Sequence, residues 1–375
     1  MPNALAYPNA PALPGVRSRF ADNGNGLTMH YLEAGWQNSA DKPLVLLLRG
    51  FPELAYSWRK VMPALAGAGF YVVAPDQRGY GRTLGWDPGY DGDLASFHAL
   101  NLVRDVLGLL EALGRREVQM VVGHDFGAMV AAWAALVRPD VFRCLTLMSA
   151  PFSGPPALSL PKPARDVHAD LATLERPRKH YQWYYCTRLA NGDMQGAPQG
   201  MQAFLRAYFH HKSADWAANQ PHPLTEWSAR ELAKLPTYYV MDLHETMPET
   251  VAHEMPSAAE IAACEWMSED EMAVYAAEYQ RLGFQGGLNW YRCRIEPGFR
   301  SREQLFAGRT IDVPTWFISG QSDWGVHQSL GAFETMQTKA CTDFRAAHLL
   351  PGAGHWVQQE QAVEVARLLV EAASA

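Results

Sequence analysis

The chain has 375 residues, 48 % hydrophobic and 19 % charged, enough to bury a large core as one elaborated domain or as two. A formal net charge of −7 with a pI near 6.0 gives no electrostatic reason to expect nucleic acid or an anionic membrane as partner, and it suits a small neutral ligand. Cys144, Cys186, Cys264, Cys293 and Cys341 are odd in number, widely spaced and free of any C-x-x-C pair, which argues against a disulfide framework or a zinc site and for a reducing, cytoplasmic setting.

The opening residues, "MPNALAYPNAPALPGVRSRF", lack a basic segment followed by an apolar run, and nowhere do eighteen uncharged apolar residues follow one another, so neither export nor membrane insertion is expected. Residues 44–48, "LVLLL", are continuously apolar and end in the turn "RGFPE", as a strand covered on both faces does. "FYVVAPDQRGYG" at 70–81, "VQMVVG" at 118–123 and "CLTLMSAP" from 144 repeat that pattern. Between them, residues 101–114 place Leu102, Val103, Val106, Leu107, Leu110 and Leu113 at helical steps and end on a glycine suited to a C-cap. Strands alternating with helices predict a doubly wound, mostly parallel α/β sheet.

Near residue 152 the rhythm breaks. The proline-laden "PFSGPPALSLPKPARD" leads into a stretch rich in helix formers and aromatics that predicts an inserted helical lid. The strand pattern returns at 313–323, "VPTWFISGQSD", and at 344–356, "FRAAHLLPGAGHW", before a closing helix with Val363, Ala366, Leu369 and Val370 at helical spacing. The expected organisation is therefore a core of residues 1–151 and 301–375 sharing one sheet, with a cap of residues 152–300.

Residues 123–127, "GHDFG", have the glycine spacing of a nucleophile elbow with an aspartate where a serine is usual. In such a turn a strand runs straight into a helix, small residues avoid clashes, and the nucleophile projects from a strained backbone. The pentapeptide alone occurs by chance, and an Asp after a strand is often a helix N-cap. Order adds weight: nucleophile, acid and histidine follow one another as Asp125, Asp323 and His355, each directly after a predicted strand. Of the 13 histidines, His327 and His348 are rivals, but His348 sits within an apolar run and His355 in the tight loop "GAGHW". Asp312 and Asp343 precede their strands, at the wrong end of the sheet.

Together, "RGFPELAYSWR", "APDQRGYGRT", "GHDFG", "SGQSDWGV" and "GAGHW" resemble the epoxide hydrolase branch of the α/β-hydrolase superfamily from about residue 28 onwards. The resemblance implies an α/β-hydrolase fold with a cap, an aspartate nucleophile at Asp125, a base His355 oriented by Asp323, and backbone N–H donors at Phe51 and Phe126 for the oxyanion. It also implies two cap tyrosines that activate the epoxide oxygen. "HYQWYYC" maps the first onto Tyr181, with Tyr184 and Tyr185 close enough to shift the assignment by a turn, and "GLNWYRC" maps the second onto Tyr291. No cofactor and no metal is implied; the substrates are a small-molecule epoxide and water, the product a diol, and a homodimer is left open.

Two positions depart from the family pattern. Arg49 stands where a histidine is usual and Phe126 where a tryptophan is. The second change leaves a backbone donor intact. The guanidinium of Arg49 either turns outward to a carboxylate, or alters how its loop holds the oxyanion site and attracts an acidic substrate. Two other readings stand beside the first. A haloalkane dehalogenase uses the same Asp and His but needs side-chain N–H donors for halide where Phe51 and Phe126 stand, and an inert ligand-binding member of the fold would bind without turnover. The aromatic-rich cap points to a hydrophobic epoxide.

Overall fold

The computed structural model describes residue 7 and residues 10–158 and 166–375. Among the described residues ten strands follow in chain order: β1 (Val16–Asp22), β2 (Thr28–Ala34), β3 (Leu44–Leu48), β4 (Tyr71–Pro75), β5 (Met120–His124), β6 (Leu145–Met148), β7 (Arg178–His180), β8 (Val240–Asp242), β9 (Thr315–Gly320) and β10 (Phe344–Leu350). Eight of them form one sheet in the order β1-β2-β4-β3-β5-β6-β9-β10, parallel from β4 to β10 and antiparallel at the β1-β2-β4 end. The continuous apolar runs of β3, β4 and β5 are buried throughout, as strands with helices on both faces must be. β1 and β2 were not foreseen in the sequence. β1 alternates polar and apolar residues weakly, because it lies at a sheet edge with one side in solvent.

The helix Ala99–Ala112 lies close to the 101–114 span that spacing predicts, and it packs against the helix Phe126–Val137. Gly114, at φ +65°, sits just past its end, where its N–H and that of Arg115 close back onto Glu111 and Leu110 at 2.9 and 2.8 Å. At the C-terminus the helix Ala362–Ser374 buries Val365, Ala366, Leu368, Leu369, Ala372 and Ala373. Val363 is 88 % exposed, so the expected apolar stripe starts two residues later; Val363 lies in the first turn, before the helix meets the core.

Between Val167 and Glu303 the chain forms helices and the antiparallel pair β7–β8. Residues 159–165 of the proline-laden stretch lie outside the described residues. Long helices at Met201–Lys212 and Glu269–Leu282 pack together, and the helix Gln285–Ile295 is pinned to the sheet side: Trp290 Nε1 donates to the Arg78 carbonyl at 3.0 Å, and Gly286 meets Gly79 so closely that a Cβ on either would overlap the other's backbone. Among the described residues no helix is long and apolar enough to cross a membrane, no group of three His, Cys, Asp or Glu is arranged to hold a metal ion, and the five cysteines are free thiols.

Candidate active site

Asp125 joins β5 to the helix Phe126–Val137 with φ 52° and ψ −119°, a conformation that L residues rarely adopt and that costs of order 1–3 kcal/mol. Neighbouring glycines make the turn possible. A Cβ on Gly123 would overlap the Gly127 carbonyl, one on Gly127 the Leu48 carbonyl at the end of β3, and one on Gly50 the side chain of Asp125 itself. The helix that follows is buried on nearly every side, so its N-terminus can aim only at the site, where its dipole favours a carboxylate.

The two carboxylate oxygens of Asp125 face different groups. Oδ1 accepts a hydrogen bond from the Phe51 backbone N–H at 3.0 Å, while Oδ2 lies 3.6 Å from His355 Nε2. Burial pushes the Asp125 carboxyl up, but His355, Lys212, His124 and the Phe51 N–H outweigh it and hold it below its ordinary value, so it is ionised near neutral pH.

His355 follows β10 and Asp323 follows β9, both beyond the carboxyl ends of their strands, as chain order implied. His355 Nδ1 is 3.1 Å from Asp323 Oδ1 and 2.8 Å from Ser149 Oγ. Ser149 in turn donates to Asp323 Oδ2, which also accepts from Ser319 Oγ at 3.0 Å, and Gly325 N–H donates to Oδ1 at 2.7 Å. This acceptor set keeps the proton on Nδ1 and leaves the lone pair of Nε2, which has no protein hydrogen-bond partner, directed towards Asp125. Burial and then Lys212 lower the His355 pKa against the opposing pull of Asp323, so the ring is neutral at pH 7. Asp323 is fully buried, yet His355, Ser149 and Gly325 hold its carboxyl far below the ordinary range.

Four participants escaped the sequence reading. Ser149, at φ +68°, completes the acid's hydrogen bonds. Lys212 is buried at the end of the helix Met201–Lys212, with its ammonium 5.0–5.7 Å from the ring centres of Tyr208, Tyr238, Tyr239 and Trp356. Glu53 and His124 form a fully buried pair at 2.6 Å, and His124 Nε2 donates to the His355 carbonyl at 2.7 Å. Both lie inside stretches already singled out, "RGFPE" and "GHDFG", so adjacency to the motifs was the available signal. Lys212 had none, because nothing in "FHHKSADW" distinguishes a buried lysine from a solvated one.

The rivals fall elsewhere. Asp312 bonds Thr310 and Thr342, Asp343 pairs with Arg345, His348 lies within β10 opposite Ile318, and His327 faces Phe333.

Next to Phe126 and Phe51, aromatic rings from residues 181–291 gather. Tyr291 is centred 4.4 Å from Phe126, 5.5 Å from Phe51 and 5.7 Å from Tyr181. The Tyr181 hydroxyl accepts from Gln182 Nε2 at 3.0 Å and donates to Gln328 at 3.4 Å. Of its neighbours, Tyr184 donates to Asp193 at 3.0 Å, and Tyr185, packed on Phe51 and Tyr291, donates to the Tyr208 hydroxyl at 3.2 Å. Burial, reinforced by the charge of Asp125, raises the pKa of both Tyr181 and Tyr291, so each hydroxyl keeps its proton at neutral pH.

Arg49 does not turn outward. Its guanidinium is buried, stacked 3.4 Å over the Tyr80 ring, with one nitrogen donating to the Gly50 carbonyl at 3.2 Å. The charge lies behind the loop that carries Phe51, near Asp76, whose carboxyl it helps to keep ionised.

Residues 43–362 match the family model described as the alpha/beta hydrolase fold. Epoxide hydrolase A of Mycobacterium tuberculosis is 32 % identical over 362 residues, covering 92 % of this chain and 94 % of that one. An epoxide hydrolase of Caballeronia sordidicola is 31 % identical over 349 residues, covering 92 % and 90 %. Among solved structures, epoxide hydrolase I of potato (Solanum tuberosum) superposes with a TM-score of 0.71 at 30 % identity, covering 95 % of this chain and 98 % of that one. An epoxide hydrolase from an endophytic Streptomyces does so with a TM-score of 0.74 at 29 % identity, covering 96 % and 95 %.

Proposed function

This chain belongs to the alpha/beta hydrolase family, and on that premise we propose that it hydrolyses epoxides to vicinal diols through a covalent ester on Asp125. The observation that carries the reading is the division of labour at Asp125, with one carboxylate oxygen on the Phe51 N–H, the other facing His355, and two lid tyrosines beside them.

An epoxide is attacked at saturated carbon. A serine nucleophile would leave a stable ether, whereas a carboxylate leaves an ester that water can open. In the first half-reaction Asp125 Oδ2 forms a bond to an epoxide carbon and that carbon's bond to the ring oxygen breaks. Tyr181 and Tyr291 hydrogen-bond to the departing oxygen, and one of them delivers its proton. Such general-acid assistance contributes about 10²–10⁴-fold. The product is a hydroxyalkyl ester and a tyrosinate; the tyrosinate is reprotonated through solvent by the proton that the Asp125 carboxyl, released as the acid, gives up at the end of the second half-reaction.

In the second half-reaction His355 Nε2 takes a proton from a water molecule, whose oxygen attacks the ester carbonyl carbon of Asp125. Asp323 and Ser149, holding Nδ1–H, stabilise the imidazolium that forms. The carbonyl oxygen, Oδ1, stays on the Phe51 N–H and gains negative charge there; the N–H of Phe126, the first residue of its helix and so without an intrahelical acceptor, is the second donor assigned to it. The ester then collapses, the imidazolium returns its proton to the departing alkoxide, and the vicinal diol leaves with Asp125 restored.

A dehalogenase reading finds no support, since the rings of Phe51 and Phe126 that face Tyr291 carry no N–H to hold a halide. The rings of Phe51, Phe126, Tyr181, Tyr185 and Tyr291 favour a hydrophobic epoxide over a small polar one. The deciding experiment is incubation with a panel of aryl and alkyl epoxides and bromoalkanes. Diol from epoxides without halide release is expected; halide release without diol would overturn the proposal, and tight binding with neither product would favour the inert member of the fold.

A further inference from the structure

Three backbone amides converge on one side-chain carboxyl group beside the triad. Glu360, at the end of the short helix Val357–Glu360, accepts from Trp356 N–H at 2.9 Å through Oε1, and from Gly354 N–H at 2.9 Å and Ala214 N–H at 2.8 Å through Oε2. Gly354 and Trp356 are the immediate neighbours of His355. Ala214 belongs to the lid, two residues after Lys212, whose carbonyl accepts the His355 N–H at 2.9 Å. The loop and the lid are in direct backbone contact, for a Cβ on Gly354 would press into the main chain of Ser213. His124 holds the His355 carbonyl from the core side. The backbone of the general base is thus fastened to the lid as well as to the sheet, and Glu360 is the side chain that joins the two.

We propose that Glu360 is a positioning residue that ties the seating of the lid to the aim of His355, so that it serves ester hydrolysis and not ring opening. The proposal rests on the epoxide hydrolase reading above. A carboxyl group suits the task, because its two oxygens accept from three donors at once; burial pushes its pKa up to about 8, while the Ala214, Gly354 and Trp356 amides pull it back down. An amide in its place keeps one acceptor oxygen and turns an NH2 group against the remaining donors. Ring opening depends on Asp125, held by the elbow and by Phe51, and on Tyr181 and Tyr291. Tyr181 hangs from the Tyr239 carbonyl at 2.8 Å and Tyr291 lies on the helix Gln285–Ile295, so neither is carried by Ala214. Water attack, in contrast, requires Nε2 to point at one carbonyl carbon, and a displacement of about 1 Å can cost 10²-fold.

The test is rapid-quench intact-mass kinetics with styrene oxide on wild-type, Glu360→Gln and Glu360→Asp protein, with melting curves to establish folding. For Glu360→Gln the rate of adduct formation should stay near the wild-type value. Adduct decay should fall roughly ten- to hundredfold, so that the ester accumulates and kcat and KM drop together. Glu360→Asp, which keeps both acceptor oxygens of the carboxyl group on a shorter arm, should recover part of the decay rate. Equal slowing of both steps, or no change in either, would overturn the proposal. If wild-type protein gives neither adduct nor diol, the functional reading fails, and hydrogen exchange still decides the clamp: faster exchange of peptides spanning 212–216 and 352–358 in folded Glu360→Gln supports it, and unchanged exchange overturns it.

Discussion

The backbone N–H of Phe51 donates to Oδ1 of Asp125 at 3.0 Å. In the proposed mechanism the donor assigned to the oxyanion is therefore already occupied by the Asp125 carboxylate, and the other oxygen, Oδ2, is the one that faces His355. No donor has to be found between the two half-reactions, because Oδ1 passes from carboxylate to ester carbonyl to oxyanion on the same N–H. A single turnover with excess protein in ¹⁸O-water should give unlabelled diol and place one heavy oxygen in the Asp125 peptide. Label in the diol of that first turnover would mean direct attack of water on the epoxide.

His355→Gln removes the base and leaves the nucleophile in place. The variant should gain the mass of one epoxide, mapped to Asp125, and hold it. Peptide mass spectrometry that finds no adduct on a folded variant, with epoxides that wild-type protein turns over, would remove Asp125 from its role.

Tyr181→Phe and Tyr291→Phe should each slow adduct formation, and the double variant by about 10²–10⁴-fold relative to wild type. Tyr185→Phe is the control for register. Its hydroxyl is bound to Tyr208, so adduct formation should be nearly unchanged; a loss matching that of Tyr181→Phe would transfer the acid role to Tyr185.

The pH profile of ester hydrolysis should follow His355, which must be neutral to act. Burial and the Lys212 ammonium place its pKa below the usual 6.5, so the rate should be flat through pH 7 and fall only on the acid side of 6.5. Lys212→Gln removes a positive charge that disfavours the imidazolium, and the acid limb should move to higher pH. A limb that stays in place would mean that burial alone sets the value.

Asp125→Gly should abolish turnover yet raise the melting temperature. The residue sits at φ 52° and ψ −119°, where an L side chain carries of order 1–3 kcal/mol of strain, and a glycine relieves it while removing a buried charge. Gly123→Ala has the opposite outcome: its methyl would meet the Gly127 carbonyl, and loss of folded protein on expression is expected.

What was legible in the sequence was local. The elbow is written in consecutive residues because the constraint is steric and short-ranged: Gly123 and Gly127 must lack a Cβ for Asp125 to project. The buried strands β3, β4 and β5 were legible because burial on both faces demands an unbroken apolar run. β1 was not, since an edge strand with one wet face and a partly polar pattern carries a weak signal, and β2, buried between β1 and β4, was not because His30 and Glu33 interrupt its apolar run.

By itself, then, the sequence determined which chemistry is available: a carboxylate on a glycine-flanked turn, followed in order by an acid and a histidine after later strands. Only the tertiary structure decided how these groups are set. It buries Lys212 among four aromatic rings, turns Arg49 inward onto Tyr80, and sets both Tyr181 and Tyr185 against Tyr291, with the Tyr185 hydroxyl donating to Tyr208. The physical reason is range. A missing Cβ acts on atoms a few bonds away, whereas burial of a charge and the pairing of hydroxyls depend on segments brought together only when the lid meets the sheet.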